Sequence, residues 1–213
     1  MTAAFGPVTD VEDRKMDRTI FLKLLAQNLY PEIRRAGFKG SGATLRQVKE
    51  PVAHVVNFQG STSADGVYIN LGVTLDFLKM EGIDSSNLRD VDEYQCVFRE
   101  RLEPSTNSFG RWRYGSSVDE ATQQIGAITV AWRTVATEWF SRHSYPDGFK
   151  SMVHRPVPEG APSKAIFVLA KIARHFEDTE RARILAHEAL NRVPPAATSL
   201  RTQLQKYLDH DLA

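Results

Sequence analysis

Four arginines form the densest group of chemistry-bearing side chains in the sequence. Arg99 and Arg101 are two residues apart in one predicted strand, and Arg111 and Arg113 are two apart in the next. Residues at this spacing in a strand point to the same face of a sheet. Because guanidinium groups form paired hydrogen bonds with phosphate and carboxylate groups, the pattern predicts an anion- or partner-binding face if the two strands pair in register. The alternative is a solvated sheet face whose arginines pair with carboxylates of a neighbouring helix.

A strip of uncharged polar residues is predicted on two earlier strands, on the face opposite the main apolar residues. Its members are Asn57, Gln59, Tyr68 and Asn70. Such a strip either lines a binding groove or forms the hydrated face that antiparallel sheets commonly expose. The sequence leaves both readings open.

The remaining reactive residue types match no known catalytic or cofactor pattern. The six histidines include no pair at the four-residue spacing of a helical metal site, and His54 is expected to be a hydrogen-bonded core residue. The single cysteine, Cys96, excludes a disulfide framework and a cysteine-based zinc site. It is expected to be an inert thiol on the apolar face of the fourth strand. We therefore predict no catalytic residue, no metal site and no cofactor.

The composition is that of an ordinary globular protein. The chain has 213 residues, of which 42% are hydrophobic and 25% charged, which excludes collagen-like, low-complexity and wholly disordered classes. Lys and Arg number 27 against 26 Asp and Glu, so the net charge is +1 and gives no global support for binding to nucleic acid. No apolar stretch approaches the roughly 18 residues of a membrane span, and the first residues lack the features of a secretory signal. A cytoplasmic protein with no membrane partner is expected.

The first two-thirds of the chain alternate between helical and strand periodicity. A helix is predicted from the N-cap Asp17 to residue 36, kinked at Pro31 and ended by Gly37. Alternating apolar residues then predict strands at 43–49, 52–59, 67–75, 93–102 and 110–115. Polar turns at 60–66 and 79–92 join the third strand to its neighbours. Short links of this kind favour an antiparallel meander.

The rest of the chain is predicted to be helical. Ser117 and Glu120 form a capping box that opens a helix over 118–140. This helix carries one apolar stripe, made of Val118, Ala121, Ile125, Ile128, Trp132, Val135 and Trp139. After a proline-rich linker at 156–162, further helices follow. We therefore predict an α+β fold with an antiparallel sheet of about five strands covered by two helices. Residues 1–155 form this domain, and 156–213 form a C-terminal helical hairpin or three-helix unit.

Five short motifs occur in an order that resembles a known family. They are GFK at 37–39, NFQGS at 57–61, YINLG at 68–72, RER at 99–101 and the tryptophan at 112. In this order they resemble a widespread bacterial family catalogued as a domain of unknown function, over about residues 18–142. The resemblance implies an α+β fold and a bacterial origin. It implies no activity and supplies no catalytic residues.

Three functions are compatible with these features. The first is a non-enzymatic binding or protein-interaction module that uses the polar strip and the four arginines. The second is an enzyme or sensor for an anionic small molecule, with the same arginines as an electrostatic clamp. The third is a nucleic-acid-binding protein, which the balanced net charge disfavours. The expected partner is accordingly an unknown protein or an anionic small molecule.

Overall fold

A single antiparallel sheet is the centre of the protein. The computed structural model describes residues 16–60, 65–78, 87–105 and 110–212. Its strands are β1 (Thr44–Lys49), β2 (Val52–Gly60), β3 (Gly66–Leu75), β4 (Phe98–Arg101) and β5 (Trp112–Arg113). The spatial order is β1-β2-β3-β4, and β5 also pairs with β3. The α+β class and the antiparallel sheet are thus confirmed, whereas parts of the predicted turns, 61–64 and 79–86, lie outside the described residues.

Helices precede and follow this sheet. They are α1 (Arg18–Asn28), α2 (Tyr30–Arg35), α3 (Val118–Ala131), α4 (Thr137–Arg142), α5 (Asp147–His154), α6 (Ser163–His175), α7 (Thr179–Asn191) and α8 (Thr198–Lys206). The carboxylate of Asp17 accepts a hydrogen bond from the Ile20 N–H at 2.8 Å, which confirms the predicted N-cap. The predicted first helix is divided at Leu29, just before Pro31. Gly37 follows α2 with a φ of 95°, the left-handed conformation expected of a glycine that ends a helix.

The inner face of the sheet carries the main core. Strand residues such as Val56, Phe58 and Leu71 pack there against apolar residues of α1 and α3, such as Phe21 and Ile128. Alternation along each strand places these residues on one face because successive side chains point to opposite sides. The same hydrophobic cluster continues into the C-terminal helices α6, α7 and α8. The boundary predicted between residues 155 and 156 falls between α5 and α6, which pack against each other.

The predicted fourth and fifth strands are too long. Residues Glu93–Gln95 form a 3-10 helix, capped by reciprocal hydrogen bonds between Asp92 and Gln95. β4 begins only at Phe98, and β5 has two residues. The sequence predicts Cys96 on the inner apolar face. This prediction is wrong, because the 3-10 helix interrupts the alternation of the strand. Cys96 packs on the opposite side of the sheet with Ala53 and Val55.

The predicted long helix contains a π-helical segment. Trp132–Ala136 joins α3 to α4 and adds one residue to the local turn. The predicted apolar stripe therefore shifts by one position: Ala136 is buried, whereas Val135 is 51% exposed. Val118, at the start of the stripe, is also exposed. α5 is not predicted from the sequence, where 145–148 is expected to be a turn and the proline-rich linker begins at residue 156.

Candidate functional site

A row of polar side chains crosses the outer face of the sheet, the side away from the main core. The ladder places Thr44 opposite Asn57, Asn57 opposite Asn70, and Asn70 opposite Arg101. The Asn57 side-chain amide donates to Thr44 Oγ1 at 2.9 Å. The Asn70 amide donates to Gln59 Oε1 at 3.2 Å, and Arg101 Nε donates to Asn70 Oδ1 at 3.4 Å. We call these five residues the polar row. Their side chains hold one another in fixed orientations.

Arg101 is held from two sides. Its guanidinium carbon lies 4.4 Å from the centroid of the Tyr68 ring, an arrangement that favours a cation. Tyr68 lies opposite Gln59 in the ladder, so the predicted polar strip of Asn57, Gln59, Tyr68 and Asn70 forms one continuous patch. Among the described residues, no carboxylate lies within ion-pair distance of Arg101. Its exposed guanidinium is therefore both oriented and available to a ligand.

The other arginines differ in their partners. Arg99 Nε contacts Glu93 Oε1 at 2.6 Å, while 53% of the Arg99 side chain remains exposed. Arg111 Nη2 lies 3.2 Å from Asp65 Oδ1. Arg113 is exposed and pairs through its backbone with Gly66. Two of the four charges are thus partly compensated within the chain.

The four arginines do not gather at one point. β4 and β5 do not pair with each other but lie one after the other along the same edge of β3. Arg99 lies beside Gly72 and Arg113 beside Gly66. Gly72 and Gly66 are six positions apart along β3, which corresponds to about 20 Å. The condition for a single four-arginine cluster, direct pairing of the two strands, is therefore not met.

A second, smaller hydrophobic cluster covers one end of the outer face. Leu88, Val91 and Cys96 pack there on Ala53 and Val55. Arg46 of β1 fixes this covering segment, since its guanidinium donates to the Val91 carbonyl at 2.6 Å and to Asp92 Oδ1 at 2.8 Å. Burial raises the pKa of the Cys96 thiol to about 12, so the thiol stays protonated. The polar row lies on the half of the face that no other described residues cover.

Tyr94 is the most exposed large aromatic side chain in the described structure. It belongs to the 3-10 helix at the border of the open half, and it is 68% exposed. The neighbouring Glu93 is nearly buried and ion-paired with Arg99. This contact ties the 3-10 helix to β4, so Tyr94 projects from an anchored element.

Two histidines lie on the inner side of the sheet, His143 buried and His54 half-buried. His54 Nε2 donates to the His143 carbonyl oxygen at 3.0 Å, and His143 Nδ1 donates to the Trp139 carbonyl oxygen at 2.8 Å. Burial lowers the pKa of His54 and lowers the pKa of His143 to about 4. The His143 ring is therefore neutral at physiological pH. His54 is hydrogen-bonded, as the sequence predicts, but it is only half-buried at the edge of the core.

A small cavity opens beside His54. It has a volume of about 160 Å³ and is lined by Gln47, Lys49, Glu50, Val52, His54, Ser144 and Tyr145. His54 directs both ring nitrogens at protein atoms, since Nδ1 lies 3.2 Å from Gln47 Oε1. Both ring nitrogens therefore face protein oxygen atoms.

Two kinds of feature are absent from the part of the chain that the structure describes. In residues 16–60, 65–78, 87–105 and 110–212, no three histidine, cysteine or carboxylate side chains converge as metal ligands would. No helix in these ranges combines the length and apolar character needed to cross a lipid bilayer.

Two members of the surface were missed by the sequence analysis. Thr44 could have been found, because strand pairing places it on the same face as Asn57. Tyr94 could have been found from the spacing of Asp92 and Gln95, a capping box that predicts a helical start at this point instead of a strand. The arginines, Asn57, Gln59, Tyr68 and Asn70 all lie on the outer face, along the uncovered length of β3 and its neighbours.

Comparison with known proteins identifies a family but no activity. No curated protein and no solved structure matches the chain. The profile of one family matches residues 29–142, a span that includes α2, the whole sheet and the helix that crosses it. This span is more than half of the chain. The protein therefore belongs to DUF4304, a family described as a domain of unknown function.

Proposed function

We propose that the protein is a non-enzymatic binding module whose open outer sheet face binds a protein partner. One observation carries this proposal: Tyr94, Arg99 and Arg101 expose large parts of their side chains, and Arg101 lies over the ring of the half-buried Tyr68. Tyrosine and arginine are the residue types most enriched among the energetically dominant residues of protein interfaces. Here they are held in place, since Arg101 lies on Tyr68 and Arg99 contacts Glu93. A prearranged surface loses less side-chain entropy on binding than a mobile one.

The arrangement supports a protein partner better than a single small anion. The arginines extend over about 20 Å of strand instead of converging on one point. Glu93 and Asp65 also compensate Arg99 and Arg111. A small anion would contact one or two guanidinium groups, whereas an extended acidic surface would contact most of the four arginines. The net charge of +1 gives no comparable support to nucleic acid.

Site-specific cross-linking tests the proposal. p-Benzoylphenylalanine replaces Tyr94, and in a matched control it replaces Val130, which is 58% exposed on α3, away from the sheet's outer face. We infer a bacterial cytoplasmic setting from the sequence, so the irradiation is done in intact bacterial cells. We expect a discrete covalent adduct with another protein from position 94 and not from position 130.

The charge variant decides whether the adduct reports the proposed surface. Arg101→Glu reverses the charge at the centre of the face, and its exposed position leaves the core intact, which thermal unfolding checks. The adduct from position 94 should then disappear. An adduct that survives Arg101→Glu, or equal adducts from positions 94 and 130, would contradict the proposal. So would the absence of any adduct from position 94.

A further inference from the structure

We infer that the outer edge of β4 is a strand-addition site that binds an extended acidic segment of the partner. This inference rests on the proposed function and specifies how the same surface is used. β4 is the last strand in the order of the sheet. Within the described ranges, no residue pairs with its outer edge. An open strand edge of this kind is a template for pairing with another chain.

The hydrogen-bond pattern shows which backbone groups face outward. The Leu102 N–H donates to the Ile69 carbonyl oxygen at 2.8 Å. Hydrogen-bonded pairs alternate along an antiparallel ladder, so Glu100 faces β3 and the two arginines that flank it face away. Arg99 and Arg101 therefore present their N–H and carbonyl groups to the open edge. Among these groups only the Arg101 N–H has a partner in the described structure, the carboxylate of Glu100 at 3.2 Å.

The opposite edge of the sheet is not equivalent. Arg46, in the middle of β1, exchanges two backbone hydrogen bonds with Lys39, at 2.7 and 2.8 Å. The segment after α2 thus occupies the centre of that edge. Of the two edges, the one beside the arginines remains available.

Charge complementarity identifies the occupant. The side chains of Arg99 and Arg101 lie on the outer face with Asn70 and Gly72, and Glu100 lies on the inner side with Leu71. An added strand places alternate residues directly opposite the two arginines, where acidic side chains are favourable. A second copy paired antiparallel about Glu100 would instead place arginine opposite arginine and glutamate opposite glutamate. Like charges directly opposite each other are destabilising, so an acidic segment fits and a second copy does not.

A designed peptide tests this pairing on the intact protein. The probe is a capped, fluorescent peptide of about six residues in which glutamate alternates with valine, long enough to span β4. In the predicted antiparallel pairing the glutamates lie directly opposite Arg99 and Arg101, so the glutamate N–H groups face β4 and the valine N–H groups face solvent. N-methylation of the glutamates removes the pairing hydrogen bonds, whereas N-methylation of the valines removes none.

The two methylated peptides give opposite expectations. Measured by fluorescence polarisation, methylation at glutamate should weaken binding by about tenfold or more, and methylation at valine by less than about twofold. A peptide with lysine in place of glutamate should not bind. Glu100→Ala, which frees the Arg101 N–H, should strengthen binding of the unmethylated peptide.

Each failure has a distinct meaning. Equal effects of the two methylations would overturn strand addition. They would indicate that the peptide binds through the arginine side chains alone. No binding of the unmethylated peptide would also overturn it. The proposed function is judged separately by the cross-link from position 94, which requires no strand pairing.

Discussion

The sulfur of Cys96 occupies the space above Gly72 that a side chain at position 72 would need. A β-carbon added to Gly72 would lie 2.6 Å from Cys96 Sγ and 2.9 Å from Cys96 Cβ. The 3-10 helix of Glu93–Gln95 therefore packs directly against the backbone of β3. This close approach places Tyr94 and the Glu93–Arg99 ion pair beside the polar row.

The first prediction follows from this contact. Gly72→Ala should lower the free energy of unfolding by about 1–3 kcal/mol, because the added methyl group overpacks the site. Denaturant unfolding measures the loss. Combining Gly72→Ala with Cys96→Ala removes the nearest atom, so the double variant should lose less than the sum of the two single variants. Strictly additive losses would mean that the two positions do not compete for the same space.

The second prediction concerns the reactivity of the Cys96 thiol. Burial raises its pKa to about 12, and the adjacent Glu93 carboxylate acts in the same direction. The reactive thiolate is therefore scarce at pH 8. A thiol reagent such as Ellman's reagent should modify the native protein far more slowly than the protein in denaturant. Similar rates in the two states would show that the covering segment does not protect the thiol.

The third prediction concerns stability in acid. The pKa of His143 falls from the ordinary value of 6.5 to about 4 on burial, and burial lowers that of His54 as well. Between these pH values the unfolded chain binds a proton that the folded chain does not, so stability must decrease as the pH falls from 6.5 towards 4. For His143 the total decrease is on the order of 3 kcal/mol.

A variant separates His143 from other titrating groups. His143→Phe keeps an aromatic ring beside Trp139 and Phe98, but it cannot bind a proton. It loses the hydrogen bond to the Trp139 carbonyl, so only the pH dependence of its unfolding free energy is compared with the wild type. The slope between pH 6.5 and 4 should become smaller. An unchanged slope would show that His143 does not titrate differently in the folded and unfolded states.

Strand alternation was the most reliable guide to the site. Apolar residues such as Val56 and Leu71 fixed the inner face, so Asn57 and Asn70 had to share the outer face. A shift of one residue would have reversed both sets, which is why the pattern determines the register so firmly. The N-cap at Asp17 was equally clear. A carboxylate just before apolar residues at helical spacing accepts a hydrogen bond from an N–H group of the first helical turn.

The arrangement of the arginines depends on contacts that are distant in sequence. β4 and β5 pair with separate parts of the same edge of β3, so Arg101 and Arg113 lie apart although their strands are consecutive. No local pattern encodes this path. Likewise, Cys96 packs over Gly72, and strand alternation alone does not detect such a contact.

The fourth prediction concerns the joint between β4 and β5. The buried indole of Trp112 donates from Nε1 to the Leu102 carbonyl oxygen at 2.7 Å, which joins the residue after β4 to β5. Trp112→Phe keeps an aromatic ring but leaves this buried carbonyl without its donor. We expect a loss of about 1–3 kcal/mol in the free energy of unfolding, measured in denaturant. A loss below about 0.5 kcal/mol would indicate that water replaces the indole at little cost.

The π-helical segment makes the residue count of the long helix a structural requirement. Each residue of an α-helix advances the side-chain direction by about 100°. Deleting one residue between Trp132 and Ala136 would restore regular α-helical spacing but would rotate everything after it by that angle. His143 would turn away from the sheet, and its carbonyl would no longer meet His54. Homologous helices that differ here by a single insertion or deletion would thus present a different face to the sheet, even with identical residues on either side.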